Sequence, residues 1–229
     1  MTVERYGEEV ALRPAHPRPA HPRPAHPRPA HYETADVRID KIVVGPFENN
    51  AFVVRCKRRG EAVLIDAANE HELLIPLCQQ VGVTQVLTTH GHWDHVQAVA
   101  AAREVGIDVG ISAGDADMLD SYDFVIDDES VVAIGDLRLR TIHNPGHTPG
   151  SMSFLLEGHP VVFTGDTLFP GGPGNTSAHE QASFETIIDS IDRRLFVLPA
   201  ETLVMPGHGL DTTVATERPH IQEWVDRGW

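Results

Sequence analysis

The sequence predicts an α/β fold in which sheets are covered by helices. Three observations predict it. Short β-branched apolar runs alternate with helical spacing in two successive rounds. The chain has 229 residues, 41% apolar and 22% charged, which suffices for one large domain with a substantial core. Side chains able to hold a metal ion follow directly on apolar strands at several separate places.

Residues 13–31 read RPAHPRPAHPRPAHPRPAH, a five-residue repeat. Proline at this density forbids helix and sheet, so residues 1–31 are expected to form a disordered, polyproline-like arm. A polyproline helix turns every three residues, so His16, His21, His26 and His31 do not share a face, and an inert tail is expected. The folded domain is expected over 32–229. Residues 37–44, 51–56 and 62–65 read as strands. Residues 70–81 have helical spacing, with Leu73, Leu74, Leu77 and Val81 on one face and Pro76 as a possible disturbance. Residues 86–89 read as a short buried strand and 94–105 as an Ala-rich helix stopped at Gly106. In the second half, 137–142, 151–156, 161–164 and 202–205 read as strands, and 180–195 and 216–227 as helices.

Composition excludes several function classes. No apolar run is long enough for a membrane helix, and residues 1–10 lack the apolar centre of a signal peptide, so a cytoplasmic protein with no membrane partner is expected. A formal charge of −15 makes nucleic acid a poor partner, because phosphate neutralisation needs clustered Lys and Arg. Cys56 and Cys78 are too few for a disulfide scaffold or a cysteine metal cluster and read as buried, reduced residues. Oligomeric state is not readable from the sequence.

The chemistry concentrates in Thr89-His90-Gly91-His92-Trp93-Asp94-His95, at the end of a predicted strand. Strand alternation sends His90 and His92 the same way, while Asp94 and His95 fall at a helix start, where a second direction is open. His147 lies in the turn NPGHTPGS, Asp166 in TGDT and His208 in PGHG, each just after a strand. Small residues there let the backbone approach closely. Five His and two Asp without sulfur suit zinc, iron, manganese or nickel. Two ions about 3.5 Å apart would need that many ligands, one of them bridging. His71, His143, His159, His179 and His220 read as structural or surface histidines, though His143 and His179 lie near motif loops. Asp66, in LIDA, reads as support for a ligand or loop.

These motifs, His-x-His-x-Asp-His, Gly-His-Thr-Pro-Gly-Ser, Thr-Gly-Asp-Thr-Leu-Phe and Pro-Gly-His-Gly in this order, resemble the metallo-β-lactamase superfamily, and most its glyoxalase II-like branch, over residues 37–215. The resemblance implies an αββα sandwich, two mixed sheets flanked by helices, with metals at one sheet edge. It implies His90, His92 and His147 at a first metal, Asp94, His95 and His208 at a second, and Asp166 bridging them. The implied cofactors are two divalent ions, zinc first, with iron or manganese as alternatives. The implied reaction is attack of a metal-bridging hydroxide on a small-molecule thioester or related acyl substrate, with Asp94 orienting the nucleophile.

Lactonase or other esterase activity shares that chemistry. A mononuclear-iron, persulfide dioxygenase-like oxidoreductase, using His90, His147 and Asp166, is the alternative from another reaction class. Three departures from the family pattern bear on the substrate. Asn175 stands where the family often has Arg, Val96-Gln97 replace small glycines, and residues 217–229 carry little positive charge. Glutathione recognition in the usual manner is therefore not expected.

Overall fold

The structure is a computed structural model describing residues 30–177 and 180–228. Most of the repeat arm, including His16, His21 and His26, lies outside the described residues, as does His179.

Seven strands form the first sheet, in chain order: β1 (Tyr32–Glu33), β2 (Val37–Val44), β3 (Asn49–Cys56), β4 (Ala62–Ile65), β5 (Val83–Leu87), β6 (Asp108–Ile111) and β7 (Phe124–Val125). Strands β1 to β4 pair antiparallel and β4 to β7 parallel. The parallel pairs need crossovers, which α1 (His71–Val81) supplies between β4 and β5, α2 (Trp93–Val96) and α3 (Val99–Glu104) between β5 and β6, and a 3-10 turn (Ala113–Met118) between β6 and β7. The second sheet contains β8 (Val131–Ile134), β9 (Leu137–His143), β10 (Met152–Leu156) and β11 (Val161–Gly165). A small hairpin of β12 (Leu168–Phe169) and β13 (Gly172–Pro173) follows, then α4 (Phe184–Ser190), and β14 (Leu203–Pro206) and β15 (Thr212–Thr213) complete that sheet. Its order is β15-β14-β11-β10-β9-β8, with only β11 and β14 parallel. The chain closes with α5 (Val214–Glu217) and α6 (Ile221–Arg227). No described helix is long and apolar enough to cross a membrane.

Side-chain alternation builds the layers. On β3, Phe52, Val54 and Cys56 face the other sheet while Ala51 and Val53 face α1 and α3. On β11, Val161 and Phe163 face inward while Val162 packs toward α4 and α6. Both faces of these strands are buried, which is why they read as nearly continuous apolar runs. One core lies between the sheets and one under each helical layer. This is the expected αββα sandwich with two mixed sheets.

Some expectations are corrected. Leu73 is half exposed, and the buried stripe of α1 is Leu74, Ile75 and Cys78; Pro76 sits inside an intact helix. The helix expected over 94–105 is interrupted, because the Gln97 and Ala98 N–H groups donate to the carbonyls of Ala68 and Ala67 rather than to their own helix. The helix expected over 180–195 starts only at Phe184, where the Ser183 hydroxyl caps it, and ends in a π-turn over Ile191–Leu195. The helix expected over 216–227 is split by a 3-10 turn, Arg218–His220, containing Pro219. Cys56 and Cys78 are buried and free, as expected.

His31, grouped with the arm in the sequence reading, is tied into the fold. Its N–H donates to the Ile39 carbonyl, its ring nitrogen Nε2 lies 2.6 Å from Asp211, and the ring packs on Phe52. Removal of residues 1–29 is expected to leave turnover within about twofold and thermal stability unchanged, because a proline-rich sequence of this composition is not expected to build a core. Parallel kinetics and melting curves check this, and a larger loss would make the repeat functional.

Candidate metal centre

Four loops meet where the two sheets share an edge. The loop after β5 carries His90 and His92 and turns into α2, which carries Asp94 and His95. The turn between β9 and β10 carries His147, Asp166 follows β11, and His208 follows β14. Backbone hydrogen bonds hold this edge together: Asn50 N–H donates to the Gly207 carbonyl at 2.7 Å, Met152 N–H to Thr89 at 2.8 Å and Gly207 N–H to Gly165 at 2.8 Å. Two glycines are required by the packing. Gly165 has φ 49°, and a Cβ there would lie 2.5 Å from the Thr89 hydroxyl; one on Gly207 would lie 2.3 Å from an Asp166 oxygen.

All seven candidate ligands come together. They form three overlapping groups, His90/His92/His147, His90/His95/Asp166 and Asp94/His95/His208, with ligand atoms within 4.8 Å of one another in each. Asp166 reaches both ends, with Oδ2 3.7 Å from His147 Nε2 and 3.5 Å from His208 Nε2, and Oδ1 3.4 Å from His95 Nε2.

The hydrogen bonds assign the tautomers. His147 Nδ1 lies 2.8 Å from the Asn175 carbonyl and His208 Nδ1 2.9 Å from the Phe47 carbonyl; each carbonyl only accepts, so each Nδ1 carries the proton. His95 Nδ1 donates to the Asp66 carboxylate at 2.9 Å. The Thr89 hydroxyl donates to Asp66 at 2.8 Å, so at 3.1 Å it can only accept from His90 Nδ1. Four rings thus turn Nε2 inward. His95 and His208 place theirs 3.2 Å apart, and His90 Nε2, His147 Nε2 and Asp166 Oδ1 are buried without a hydrogen-bond partner. Lone pairs and a carboxylate oxygen converging this way repel one another unless a cation lies among them, so the donor set fits divalent metal.

The charges agree. Burial, reinforced by the neighbouring histidines, holds the His90 pKa well below its ordinary value, so its ring is neutral. Burial opposes protonation of His95, but the carboxylates Asp166, Asp66 and Asp94 outweigh it and raise the pKa to about 9, so these carboxylates call for a positive charge at His95 Nε2, which a proton or a metal ion can supply. At Asp94 burial is likewise outweighed, by hydrogen bonding to His208, the charge of His95 and the Asn49 amide, and the carboxyl is lowered.

Three supporting residues escaped the sequence reading. Asn49 donates from Nδ2 to Asp94 at 2.9 Å, and Asn50 donates to the Pro206 and Gly209 carbonyls. Asp115 is fully buried in a 3-10 turn (Ala113–Met118) and accepts from Gly91 N–H at 2.9 Å, the Thr148 hydroxyl at 2.6 Å and Gly150 N–H at 2.7 Å. One carboxylate therefore clamps the His90–His92 loop to the His147 turn. Replacing Asp115 by Ala leaves three donors without a partner at about 1–3 kcal/mol each where they stay buried. It is expected to weaken metal retention by His90, His92 and His147 by about 10–100-fold. Metal content under chelator competition measures this, and native retention would remove the clamp from the site's design.

The other expectations resolve locally. Asp66 supports both His95 and Thr89, as read. Asn175 contributes its backbone carbonyl, a role open to any residue. His143 Nε2 lies 2.8 Å from the Pro149 carbonyl and braces the turn without joining the cluster. His71, His159 and His220 sit beside Glu72, Asp36 and Glu223.

Residues 44–208 match the family model described as metallo-beta-lactamase superfamily. A probable metallo-hydrolase, YqgX, of Bacillus subtilis is 30% identical over 78% of this chain and 93% of its own length. A hydroxyacylglutathione hydrolase of Rhodospirillum rubrum is 34% identical over 70% of this chain, which spans 62% of that protein. Among solved structures, the BLEG-1 B3 metallo-beta-lactamase superposes with a TM-score of 0.73 at 29% identity, covering 80% of this chain and 97% of the other. ETHE1 from Myxococcus xanthus gives 0.70 at 31%, covering 80% and 82%. TTHA1623 in a di-iron-bound form gives 0.69 at 30%, covering 78% and 96%. Motif order, sandwich and converging histidines agree with these likenesses, and the chain belongs to the metallo-beta-lactamase superfamily, in its glyoxalase II-like branch.

Proposed function

We propose that the chain is a dinuclear metal-dependent hydrolase of thioesters or related acyl substrates. His90, His92 and His147 would hold one ion, Asp94, His95 and His208 the other, and Asp166 would bridge them. The observation that carries this is that His95 Nε2 and His208 Nε2 face each other 3.2 Å apart, beside His90 Nε2, His147 Nε2 and Asp166 Oδ1, which are buried without a hydrogen-bond partner. Bound divalent ions would supply a nucleophile at neutral pH and a counter-charge for the developing oxyanion. Zinc suits the donors best, and iron or manganese would also fit.

The chain's own residues do the rest. Asp94 stays ionised and can accept a hydrogen bond from the attacking water, with Asn49 donating to its Oδ2. Asn175, Phe47 and Asp66 keep three rings in the tautomer that faces inward. Gly207 keeps the backbone clear of Asp166.

The mononuclear-iron oxidoreductase remains the second reading, because His147 and Asp166 do approach one another, at 3.7 Å. It would leave the His95–His208 pair facing without a cation, which favours the dinuclear site. Elemental analysis of protein purified without oxygen or added metal tests the choice. Two ions per chain with turnover on a thioester panel are expected. One iron per chain with oxygen consumption would overturn the hydrolase.

A further inference from the structure

A cleft of about 410 Å³ opens from His92 and His147, a volume suited to a small ligand. Its walls include Trp93, Met118, Pro149 and Glu180, and neither Lys nor Arg is among the described residues that line it. Trp93 is 56% exposed and Met118 37%. An indole with that much surface beside candidate metal ligands has apolar area to offer a ligand, and its face attracts cations. The whole chain carries a formal −15. Among the described lining residues, a substrate tail ending in a carboxylate would meet neither Lys nor Arg and one opposing charge.

We propose that this cleft receives an acyl substrate whose apolar stem crosses Trp93 and Met118 and ends in an ammonium or similar cation, with Glu180 selecting that end. The proposal rests on the metal-dependent acyl hydrolase reading above and narrows its substrate class. A carrier with several carboxylates, as in glutathione, falls on the disfavoured side. Glu180 acts on affinity, because it meets the substrate away from the reacting carbonyl, and its effect therefore lies in KM with kcat unchanged. A second hollow of about 430 Å³, lined by Arg103, Asp108 and Asp123 among others, offers no comparable site, since Arg103 and Asp123 pair with each other at 2.7 Å.

The test uses the metal-loaded protein and hexanohydroxamates that differ only at the far end, which carries an ammonium, a methyl or a carboxylate group. Binding is followed by calorimetry. The ammonium compound is expected to bind about 5- to 10-fold more tightly than the carboxylate, the range open to one exposed charge that attracts one end and repels the other. The difference should shrink in 1 M salt. Glu180→Gln should level the series and Glu180→Lys should invert it. An equal or reversed order in the native protein, or a series indifferent to Glu180→Lys, overturns the proposal. Matched 4-nitrophenyl esters separate the two readings. Hydroxamates that follow the expected order while no ester is cleaved leave the cleft assignment standing and sink the acyl hydrolase. Cleavage of the esters without charge preference does the reverse.

Discussion

Asp166→Asn is expected to release both metal ions together and lower turnover by more than about 100-fold, beyond what loss of an outer-sphere partner costs. The reason lies in the two carboxylate oxygens. Oδ2 lies 3.7 Å from His147 and 3.5 Å from His208, which belong to opposite ends of the cluster, while Oδ1 lies 3.4 Å from His95 and is otherwise unpartnered. An amide keeps the shape but removes the negative charge and replaces one acceptor by a donor. The side chain has little freedom to compensate, because Gly207 closes on one oxygen so tightly that a Cβ there would lie 2.3 Å away. Metal content per chain and turnover, measured on one preparation, check the prediction. Retention of one ion at full occupancy would assign Asp166 to the other ion alone, and retention of both would end the bridging role.

Asp66→Ala is expected to lose metal affinity by about 10–100-fold and to lower the melting temperature by roughly 10 °C. Asp66 is buried and accepts three hydrogen bonds, from Thr89 N–H at 2.7 Å, the Thr89 hydroxyl at 2.8 Å and His95 Nδ1 at 2.9 Å. Each donor left buried without a partner costs about 1–3 kcal/mol, and a domain of this size shifts by about 2–4 °C per kcal/mol. The damage spreads from His95 to His90, whose Nδ1 leans on the Thr89 hydroxyl that Asp66 orients. Asp66 also has φ 59°, where Asn is tolerated better than Ala. Asp66→Asn should therefore keep more stability than Asp66→Ala while still loosening His95. Thermal unfolding and metal analysis of both variants decide the matter. Native metal retention in Asp66→Ala would show that His95 is oriented by something else.

These two residues show how unevenly the site can be read from the chain. His90, His92, Asp94 and His95 are neighbours in sequence, and His147, Asp166 and His208 each follow an apolar strand across a glycine, so local pattern sufficed to single out the seven candidates that the structure gathers into one cluster. The central strands were legible for the same reason: β3, β4 and β11 are buried on both faces and read as apolar runs. Short elements such as β6 and β8 were not, because four residues carry too little pattern to separate them from loops. The interruption at Gln97 was hidden because its cause lies in the carbonyls of Ala67 and Ala68, about thirty residues away in sequence.

Asn49 and Asp115 were invisible for a related reason. Asn49 sits at the start of an ordinary strand, and its amide finds Asp94 only because β3 runs beside the loop carrying His208. Asp115 lies in a polar stretch, Gly114-Asp115-Ala116-Asp117, where nothing distinguishes the buried carboxylate from its exposed neighbour. By itself the sequence determined which side chains can hold metal and that strands deliver them to one rim, since ligand chemistry and alternation are local properties. Only the tertiary structure decided which ring nitrogen faces inward and which carboxylate joins two loops, because those hydrogen bonds connect residues that only the packing of two sheets brings together.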